Sequence, residues 1–139
     1  MKKTLREGNT LETKFETLPG CPFCEKADKD IILQNDFAKA FWDIKPVNPG
    51  HTLIVPRRHV ENWWGLTKDE KNAIDDLVVQ MKQILDERYQ PDAYNIGMNL
   101  GADAGQTVFH AHIHLIPRYY GDMKVPEGGV RNLIPRKLK

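Results

Sequence analysis

The sequence predicts an α+β fold, in which an antiparallel sheet of about five strands is backed by one long helix, with short helical segments elsewhere. Several short apolar segments bounded by turn residues are typical of strands. Residues 68–89 repeat apolar side chains at helical spacing. Residues 110–116 alternate histidine with apolar residues, which is the period of a half-buried strand. At 139 residues, the chain is expected to form one domain.

The first three strands are predicted around one tight turn and one loop. Residues 31–33 and 37–43 are apolar segments that flank Asn35 and Asp36, a pair typical of hairpin turns. A loop rich in proline and glycine follows, and residues 51–55 are predicted as the third strand. Residues 1–20 are polar and aperiodic, so they are expected to form an extended arm or a short helix.

The long helix is predicted over residues 68–89. Thr67 is the expected N-cap, because Glu70 stands three residues later and completes a capping box. Pro91 lies just beyond the predicted end. One apolar face is formed by Ile74, Leu77, Val78, Met81, Leu85 and Tyr89.

Residues 94–99 and 107–117 are predicted as the last two strands, joined by a glycine-rich loop. Alternation in the second of them turns Ala111, Ile113 and Leu115 towards the core. The opposite face then carries His110, His112 and His114. A strand with histidine at three consecutive positions on one face predicts a functional site.

Composition and charge limit the classes of function. Hydrophobic residues make up 40% of the chain and charged residues 28%, which is ordinary for a globular protein. A net charge of +1 gives no field for binding nucleic acid or an acidic membrane surface. No segment approaches the roughly 18 apolar residues of a membrane span, and residues 4–9 do not resemble a signal peptide. A cytoplasmic protein without nucleic-acid or membrane partners is therefore expected.

The two cysteines, Cys21 and Cys24, are separated by two residues. In the cytoplasm, such a pair is more typical of metal ligands or redox groups than of a structural disulfide. A thiol oxidoreductase is one interpretation, because Cys-Pro-Phe-Cys occurs in glutaredoxin-like sites. However, residues 17–20 do not resemble a core strand, and residues 25–30 do not resemble an amphipathic helix.

The histidines and their neighbours resemble the histidine-triad family of nucleotide hydrolases and transferases. His51 is followed by Pro56 and His59, and later by the alternating histidines at positions 110, 112 and 114. The resemblance extends from about Cys21 to Arg118. It includes Phe-Trp-Asp-Ile-x-Pro at 41–46, Gly-His-Thr-Leu-Ile-Val-Pro at 50–56, Asn99, and Gly-Gln-Thr at 105–107.

The resemblance implies that His112 is the catalytic nucleophile. Imidazole is partly unprotonated at neutral pH and attacks phosphorus covalently. In the family, the matching histidine forms a nucleotidyl-histidine intermediate at the α-phosphate, which water resolves with release of a nucleoside monophosphate. The backbone carbonyl of His110 is expected to accept from Nδ1 of His112, which leaves Nε2 free to attack.

The resemblance also implies the remaining catalytic and nucleotide-binding residues. Gly105, Gln106 and Thr107 are expected to contact the phosphate and the leaving group, and His114 and Asn99 are expected to contact the phosphate or the ribose. Asp43 matches an acidic residue that binds the ribose hydroxyls, although an aspartate that only forms the turn before Pro46 is the alternative. His51 lies near the site, either with a catalytic role or as a hydrogen-bonded structural histidine. Phe41 and Ile44 are expected to line the base pocket. The expected nucleotide-binding residues are Phe41, Asp43, Ile44, Asn99, Gly105, Gln106, Thr107 and His114.

A structural zinc site is the second implication. Two thiolates and two imidazoles form a closed tetrahedral zinc site. Zinc-carrying members of the family have ligands at positions that match Cys21, Cys24, His59 and His110. One structural zinc ion per chain and no organic cofactor are therefore expected. The alternative is that both cysteines are free thiols and no metal binds.

The expected substrates are adenosine-type compounds, either dinucleoside polyphosphates or nucleoside phosphoramidates. Residues 117–118 and 121–122 resemble the members that act on dinucleoside polyphosphates. Hydrolysis and phosphorolysis are both open. A homodimer is expected through the long helix and a strand, with Trp63 and Trp64 as candidate interface residues. The expected division is an arm at 1–20, a catalytic domain at 21–120 and a tail at 121–139.

Two further interpretations remain beside the enzyme and the thiol oxidoreductase. A nucleotide sensor without turnover is one, because a fold does not guarantee an activity. The other is a hydrolase in which the three alternating histidines hold a catalytic metal. That arrangement would leave both cysteines without partners.

Overall fold

The computed structural model describes residues 15–135, so most of the predicted N-terminal arm lies outside the described residues. It confirms the α+β class. The sheet is antiparallel, in the order β1-β2-β3-β5-β4. No helix within residues 15–135 is long and apolar enough to cross a membrane. The elements are β1 (Ile31–Gln34), β2 (Ala38–Trp42), β3 (Thr52–Pro56), α1 (Lys68–Tyr89), β4 (Ala93–Gly97) and β5 (Ile113–Arg118), with 3₁₀ turns at Asp28–Asp30, Trp63–Gly65, Ala102–Ala104 and Gly129–Asn132.

The turn between β1 and β2 is held by the side chain of Asn35. Its Oδ1 accepts from the backbone N–H groups of Phe37 (3.1 Å) and Ala38 (2.9 Å). Its Nδ2 donates to the carbonyl oxygen of Ala73 in α1 at 3.0 Å. The predicted turn is therefore confirmed, and one asparagine both forms it and joins it to the helix.

The sheet is covered on both faces. On one face, α1 packs its predicted apolar side against Ala38, Ala40 and Ile54. On the opposite face, Phe41 and Val55 belong to a second cluster with the Cys21–Cys24 segment. Because successive strand residues point to opposite faces, β2 and β3 contribute to both clusters. The buried residues of α1 are Glu70, Ala73, Ile74, Leu77, Met81 and Leu85.

The start of α1 is fixed by the predicted capping box and by one buried ion pair. Thr67 Oγ1 accepts from the Glu70 N–H at 3.1 Å, and Glu70 Oε1 accepts from the Thr67 N–H at 2.9 Å. Arg58 donates to both carboxylate oxygens of Glu70, at 2.8 and 2.9 Å. Burial alone would raise the pKa of Glu70, but these hydrogen bonds leave it below its usual value. The pair holds the segment before His59 against the helix.

Gly50 is required where β3 begins. Its φ of +90° is unfavourable for residues with a side chain. A Cβ atom there would lie 2.9 Å from Leu85 Cδ2 and 3.1 Å from Pro117 Cγ. The chain therefore enters β3 through a gap between the end of α1 and β5, which places His51 beside β5.

The predicted strand over residues 107–117 is shorter in the structure. Regular pairing begins at Ile113, so His110 and His112 precede β5 and only His114 lies within it. In place of a further ladder bond to β3, the Ala111 N–H donates to the Val60 carbonyl oxygen at 2.7 Å, and the His110 imidazole donates to the Pro56 carbonyl oxygen at 2.9 Å. The predicted alternation is nevertheless confirmed, since Ala111 and Leu115 are fully buried in the core on the α1 side.

Candidate active site

A cleft of about 420 Å³ is lined by residues from both sides of the predicted triad. Its walls come from the Pro22–Lys26 segment, the end of β2 and the loop that follows it, the glycine-rich loop before β5, and β5 itself. All but one of the predicted catalytic and nucleotide-binding residues line this cleft. They are Phe41, Asp43, Ile44, Asn99, Gly105, Thr107, His112 and His114.

His112 is buried beside the cleft and is held in one orientation. Its Nδ1 lies 2.8 Å from the carbonyl oxygen of His110. Because a carbonyl only accepts, Nδ1 carries the proton and donates, which leaves the lone pair on Nε2. The ring of Phe23 packs edge-on against His112 at 5.1 Å between centroids. The hydrogen bond expected from the family resemblance is therefore present.

His51 and His114 form a hydrogen-bonded chain whose direction is set by the backbone. The Val47 N–H donates to His51 Nδ1 at 3.1 Å, so neutral His51 carries its proton on Nε2. This Nε2 lies 2.9 Å from His114 Nδ1 and 3.3 Å from Asp43 Oδ2. Donation to His114 Nδ1 requires the proton of neutral His114 to sit on its own Nε2. His114 therefore presents an N–H donor rather than a base.

His51 and His114 are both neutral at pH 7. Burial lowers the pKa of His51, and the negative charge of Asp43 offsets this only in part. Burial, together with the smaller effects of the neighbouring His112 and His51, lowers the pKa of His114 to about 4, although Asp43 opposes the shift. A neutral imidazole with a fixed proton donates a hydrogen bond without adding charge to the cleft.

Asp43 serves the turn and the site together. Its Oδ1 accepts from the Lys45 N–H at 2.8 Å, which is the turn-forming contact. Its Oδ2 lies near His51 and 4.0 Å from His114 Nδ1. The two interpretations of this residue are therefore compatible, because each uses a different carboxylate oxygen.

The structure does not bring the side chain of Gln106 to the cleft. Gln106 is buried, and its Nε2 donates to the carbonyl oxygens of Glu61 (2.8 Å) and Val108 (3.1 Å). Its Oε1 accepts from the Gly101 N–H at 2.8 Å. Both amide hydrogens are thereby used to hold the loop, so the expected contact of this amide with a phosphate is not supported.

Phe41, on the floor of the predicted base pocket, is covered by neighbouring side chains. Phe41 is only 1% exposed, because the Phe23 ring packs on it at 5.4 Å and Lys26 lies over it with Nζ 4.6 Å from the ring centroid. Ile44 is 80% exposed at the rim. Sequence reasoning missed Lys26, since nothing distinguishes it from the other charged residues of the 25–30 segment.

A second cluster beneath the cleft consists of Cys21, Cys24, His59 and His110, whose ligand atoms all lie within 4.8 Å of one another. Cys24 Sγ is 3.4 Å from His59 Nδ1 and 3.5 Å from His110 Nδ1. Cys21 Sγ is 3.5 Å from His110 Nδ1. Metal bonds of about 2.0–2.3 Å in a tetrahedron give ligand separations of about 3.3–3.8 Å. The four residues therefore fit a tetrahedral metal ion.

Hydrogen bonds prepare this cluster for a metal. The Nε2–H of His110 donates to the Pro56 carbonyl oxygen, so the lone pair of Nδ1 faces the sulfur atoms. Backbone N–H groups of Cys24 and Leu18 donate to Cys21 Sγ and Cys24 Sγ, each at 3.4 Å. Such donors favour the thiolate form that binds metal. Lys39 is also buried on this face of the sheet.

The other group of close donors, Asp43, His51 and His114, has ligand atoms equally near one another but the wrong proton arrangement for a metal. A histidine that binds metal through Nε2 ordinarily donates a hydrogen bond from Nδ1–H. In His51, Nδ1 instead accepts from the Val47 N–H, so Nε2 must keep its proton. This group forms a hydrogen-bonded chain.

The geometry also bears on the two alternative metal and redox interpretations. The alternating histidines do not converge: His110 faces the cysteines, His112 bonds the backbone, and His114 bonds His51. A glutaredoxin-like site places its first cysteine at the N-terminus of an α-helix that follows a strand, whereas residues 15–30 contain neither, only a 3₁₀ turn at Asp28–Asp30. Neither a three-histidine metal centre nor a glutaredoxin-like site is supported.

Comparison with known proteins identifies the family of this chain. The model of the HIT domain family matches residues 25–121. An uncharacterized HIT-like protein of Methanocaldococcus jannaschii is 38% identical over 118 residues, which cover 81% of this chain and 91% of the relative. The chain belongs to the HIT domain family, which confirms the resemblance seen in the sequence.

Two relatives have named activities. The asymmetrical bis(5'-nucleosyl)-tetraphosphatase of Schizosaccharomyces pombe is 37% identical over 92 residues, which are 66% of this chain and 50% of that protein. The bis(5'-adenosyl)-triphosphatase of Dictyostelium discoideum is 35% identical over 89 residues, which are 64% of this chain and 60% of that protein. The matched region therefore spans only part of both enzymes.

Solved structures share the fold. A HIT family protein from Bacillus anthracis gives a TM-score of 0.70 at 34% identity, covering 76% of this chain and 78% of that one. A zinc-bound histidine triad family protein from Mycobacterium smegmatis gives a TM-score of 0.67 at 30% identity, covering 74% and 78%. The fold is that of HIT proteins, and a cysteine–histidine cluster suited to a metal occurs in this chain.

The proton positions predict a specific NMR result. In long-range proton–nitrogen spectra at pH 7, His51 and His114 should carry their protons on Nε2, and His112 on Nδ1. Titration should leave His114 neutral until the pH approaches its pKa of about 4. A proton on Nδ1 of His114, or a charged His114 at pH 6, would contradict the hydrogen-bonded chain.

Proposed function

We propose that this protein hydrolyses nucleotide conjugates at the α-phosphate through a covalent nucleotidyl intermediate on His112, with release of a nucleoside monophosphate. The observation that carries the proposal is the hydrogen bond from His112 Nδ1 to the His110 carbonyl, which leaves Nε2 as an oriented nucleophile beside the cleft. The family resemblance points to adenosine-type conjugates as substrates, either dinucleoside polyphosphates or nucleoside phosphoramidates.

In the first step, Nε2 of His112 attacks the α-phosphorus in line with the bond to the leaving group. The new N–P bond forms as that bond breaks and its electron pair leaves with a polyphosphate or an amine. A polyphosphate departs as an anion, and an amine takes a proton from solvent. In the second step, water attacks phosphorus, the N–P bond breaks, and the water proton passes to solvent.

The surrounding residues bind and orient the phosphate and the ribose. His114 donates from Nε2–H to a phosphate oxygen, because its proton is fixed there through His51. Thr107, Asn99 and the Gly105 backbone contact the phosphate or the leaving group from the loop wall. Asp43 accepts from the ribose hydroxyls. Gln106 acts as a positioning residue that holds the loop through its buried amide.

The named relatives support dinucleoside polyphosphates as substrates more directly than residues 117–122 do. The yeast and slime-mould relatives are named for dinucleoside polyphosphate cleavage. Arg118 and Asp122, which suggested this class in the sequence, instead pair with each other through two hydrogen bonds of 2.8 Å. Asn48 donates to the same carboxylate, so these residues stabilise the segment after β5.

Replacement of His112 tests the proposed nucleophile. His112→Ala should lower kcat for AMP release by several orders of magnitude, because the covalent route is lost. Release should be measured from diadenosine tetraphosphate and from adenosine phosphoramidate. Tyr120→Phe, at an exposed position outside the cleft, is the matched control and should retain wild-type turnover.

The wild-type enzyme should also gain the mass of one adenylyl group on His112 when a single turnover is quenched. Near-normal turnover of His112→Ala would reject the nucleophile. Binding of AMP without turnover of either substrate would instead favour a nucleotide sensor.

The metal in the cysteine–histidine cluster is proposed to be zinc, bound by Cys21, Cys24, His59 and His110. Zinc would supply structural cross-linking between the N-terminal segment, the end of β3 and the chain before β5. His110 contributes through its side chain, and its backbone carbonyl remains available to His112. The ion lies outside the proposed chemical steps.

Removal of one ligand tests this proposal. Cys24→Ser should lower the zinc content from one ion per chain and reduce the free energy of unfolding by several kcal/mol. Metal analysis and urea unfolding measure the two effects. Thr107→Ser is the control, because it keeps all four ligands. A Cys24→Ser protein with wild-type stability and zinc content would exclude a structural metal at this cluster.

We further propose a cytoplasmic homodimer. Strand β4 lies at the edge of the sheet, and Ile96 on it is 54% exposed. Trp64 is 76% exposed, whereas Trp63 packs against the core and under Lys71 at 4.5 Å. Trp64 is therefore the better candidate of the two for an interface.

The dimer is tested by the mass of the protein in solution. Sedimentation equilibrium should give twice the chain mass for the wild type and a lower mass for Trp64→Ala, because an exposed aromatic contact is removed. Trp63→Ala serves as the comparison. An unchanged mass for Trp64→Ala would place the interface elsewhere, and a monomeric wild type would reject the dimer.

A further inference from the structure

Lys26 lies where two depressions of the surface meet. It lines the cleft that contains His112 and also a neighbouring depression of about 440 Å³, and both are lined by Phe41 and Ile44 as well. Its ammonium group is 4.6 Å from the centroid of the Phe41 ring, and its side chain is half-buried. The stem of this lysine therefore packs on the apolar floor while the charge faces open space.

The path from the nucleophile to Lys26 follows a row of aromatic rings. Phe23 lies 5.1 Å from the His112 ring and 5.4 Å from the Phe41 ring, and Lys26 lies beyond them. Asp43 and Ile44 also line the cleft. A nucleotide with its phosphate at His112 and its ribose at Asp43 would extend its base towards Lys26 and Ile44.

The ammonium group of Lys26 has hydrogen-bonding capacity to offer a ligand. Within residues 15–135, it forms no ion pair with a carboxylate. An ammonium group has three donors and no acceptor. Guanine and hypoxanthine carry an acceptor oxygen at C6, next to the acceptor N7, whereas adenine carries an amino donor there. A donor on Lys26 therefore meets two neighbouring acceptors on a 6-oxopurine, whereas on adenine it meets the single acceptor N7 beside an amino donor.

We propose that Lys26 is a specificity-determining residue that makes the cleft prefer nucleotides with a 6-oxopurine base, guanine or hypoxanthine, over adenine. The inference rests on the proposed function and replaces only the adenosine-type base suggested by the family resemblance. An alternative role is binding of the distal phosphates. The in-line geometry disfavours it, because the leaving group departs on the side of phosphorus opposite to His112.

Equilibrium binding of GMP, IMP and AMP to the full chain tests the inference, with isothermal titration calorimetry as the measurement. The wild type should bind GMP and IMP about 10-fold more tightly than AMP, which corresponds to one discriminating base contact. Lys26→Met keeps the aliphatic stem over Phe41 but removes the charge. It should bind all three nucleotides with similar affinity, close to that of the wild type for AMP.

Lys68→Met is the matched control, because it removes the same charge from an exposed position that lines neither depression. It should retain the preference for GMP and IMP. A wild type that binds AMP at least as tightly as GMP would overturn the inference, as would an unchanged preference in Lys26→Met. A uniform loss of affinity for all three nucleotides in Lys26→Met would also overturn it, because that result indicates general attraction of phosphate.

Turnover keeps the inference testable if Lys26→Met does not fold. Wild-type kcat/KM should be about 10-fold higher for diguanosine than for diadenosine tetraphosphate, provided that the base contact is kept in the transition state. Equal values with turnover that depends on His112 would overturn the base preference while the proposed function stands. If no nucleotide binds and none is cleaved, the proposed function itself fails.

Discussion

The backbone and side chain of His110 together fix both centres of this protein. The imidazole donates from Nε2 to the Pro56 carbonyl, which turns Nδ1 towards Cys21 and Cys24. Its own carbonyl oxygen accepts from Nδ1 of His112 at 2.8 Å, which orients the proposed nucleophile. The metal cluster and the reactive imidazole therefore share one residue. Any shift of the N-terminal cysteine segment would be passed to His112 through this peptide, because the interior is too closely packed to absorb it.

Backbone groups decide the different character of the two histidine clusters. A carbonyl, that of Pro56, faces His110 and leaves its other nitrogen as a metal ligand. An N–H group, that of Val47, faces His51 and forces the proton to the opposite nitrogen. The same side chain thus becomes a ligand in one place and a hydrogen-bond donor in the other. His114 is a donor at Nε2 because His51 donates to its Nδ1. The loop after β2 therefore fixes the position of the His114 proton that would face a phosphate.

The cleft is built from parts with unequal rigidity. Its floor is fixed by the buried rings of Phe23 and Phe41, and its loop wall is fixed by the amide of Gln106. Ile44 and Lys26 are more exposed at the rim. Such an arrangement is suited to holding the phosphate in one geometry, while side chains at the rim select the base without disturbing it. Substitution at the rim can therefore change specificity at little cost to folding.

The sequence by itself determined the helix, its capping box, the turn at Asn35, the alternation around the histidines and the composition of the cysteine–histidine cluster. The helix, its capping box, the turn and the alternation follow from periods of 3.6 and 2 residues and from contacts between near neighbours in the chain, whereas the members of the cysteine–histidine cluster were implied by the family resemblance. Tertiary structure alone decided where β5 begins, the proton positions of His51 and His114, the inward side chain of Gln106 and the place of Lys26 over Phe41. Most of these depend on a group distant in sequence, such as the Pro56 carbonyl or Glu61, and the proton of His51 depends on a loop conformation that brings the Val47 N–H to its Nδ1; no sequence pattern reveals either.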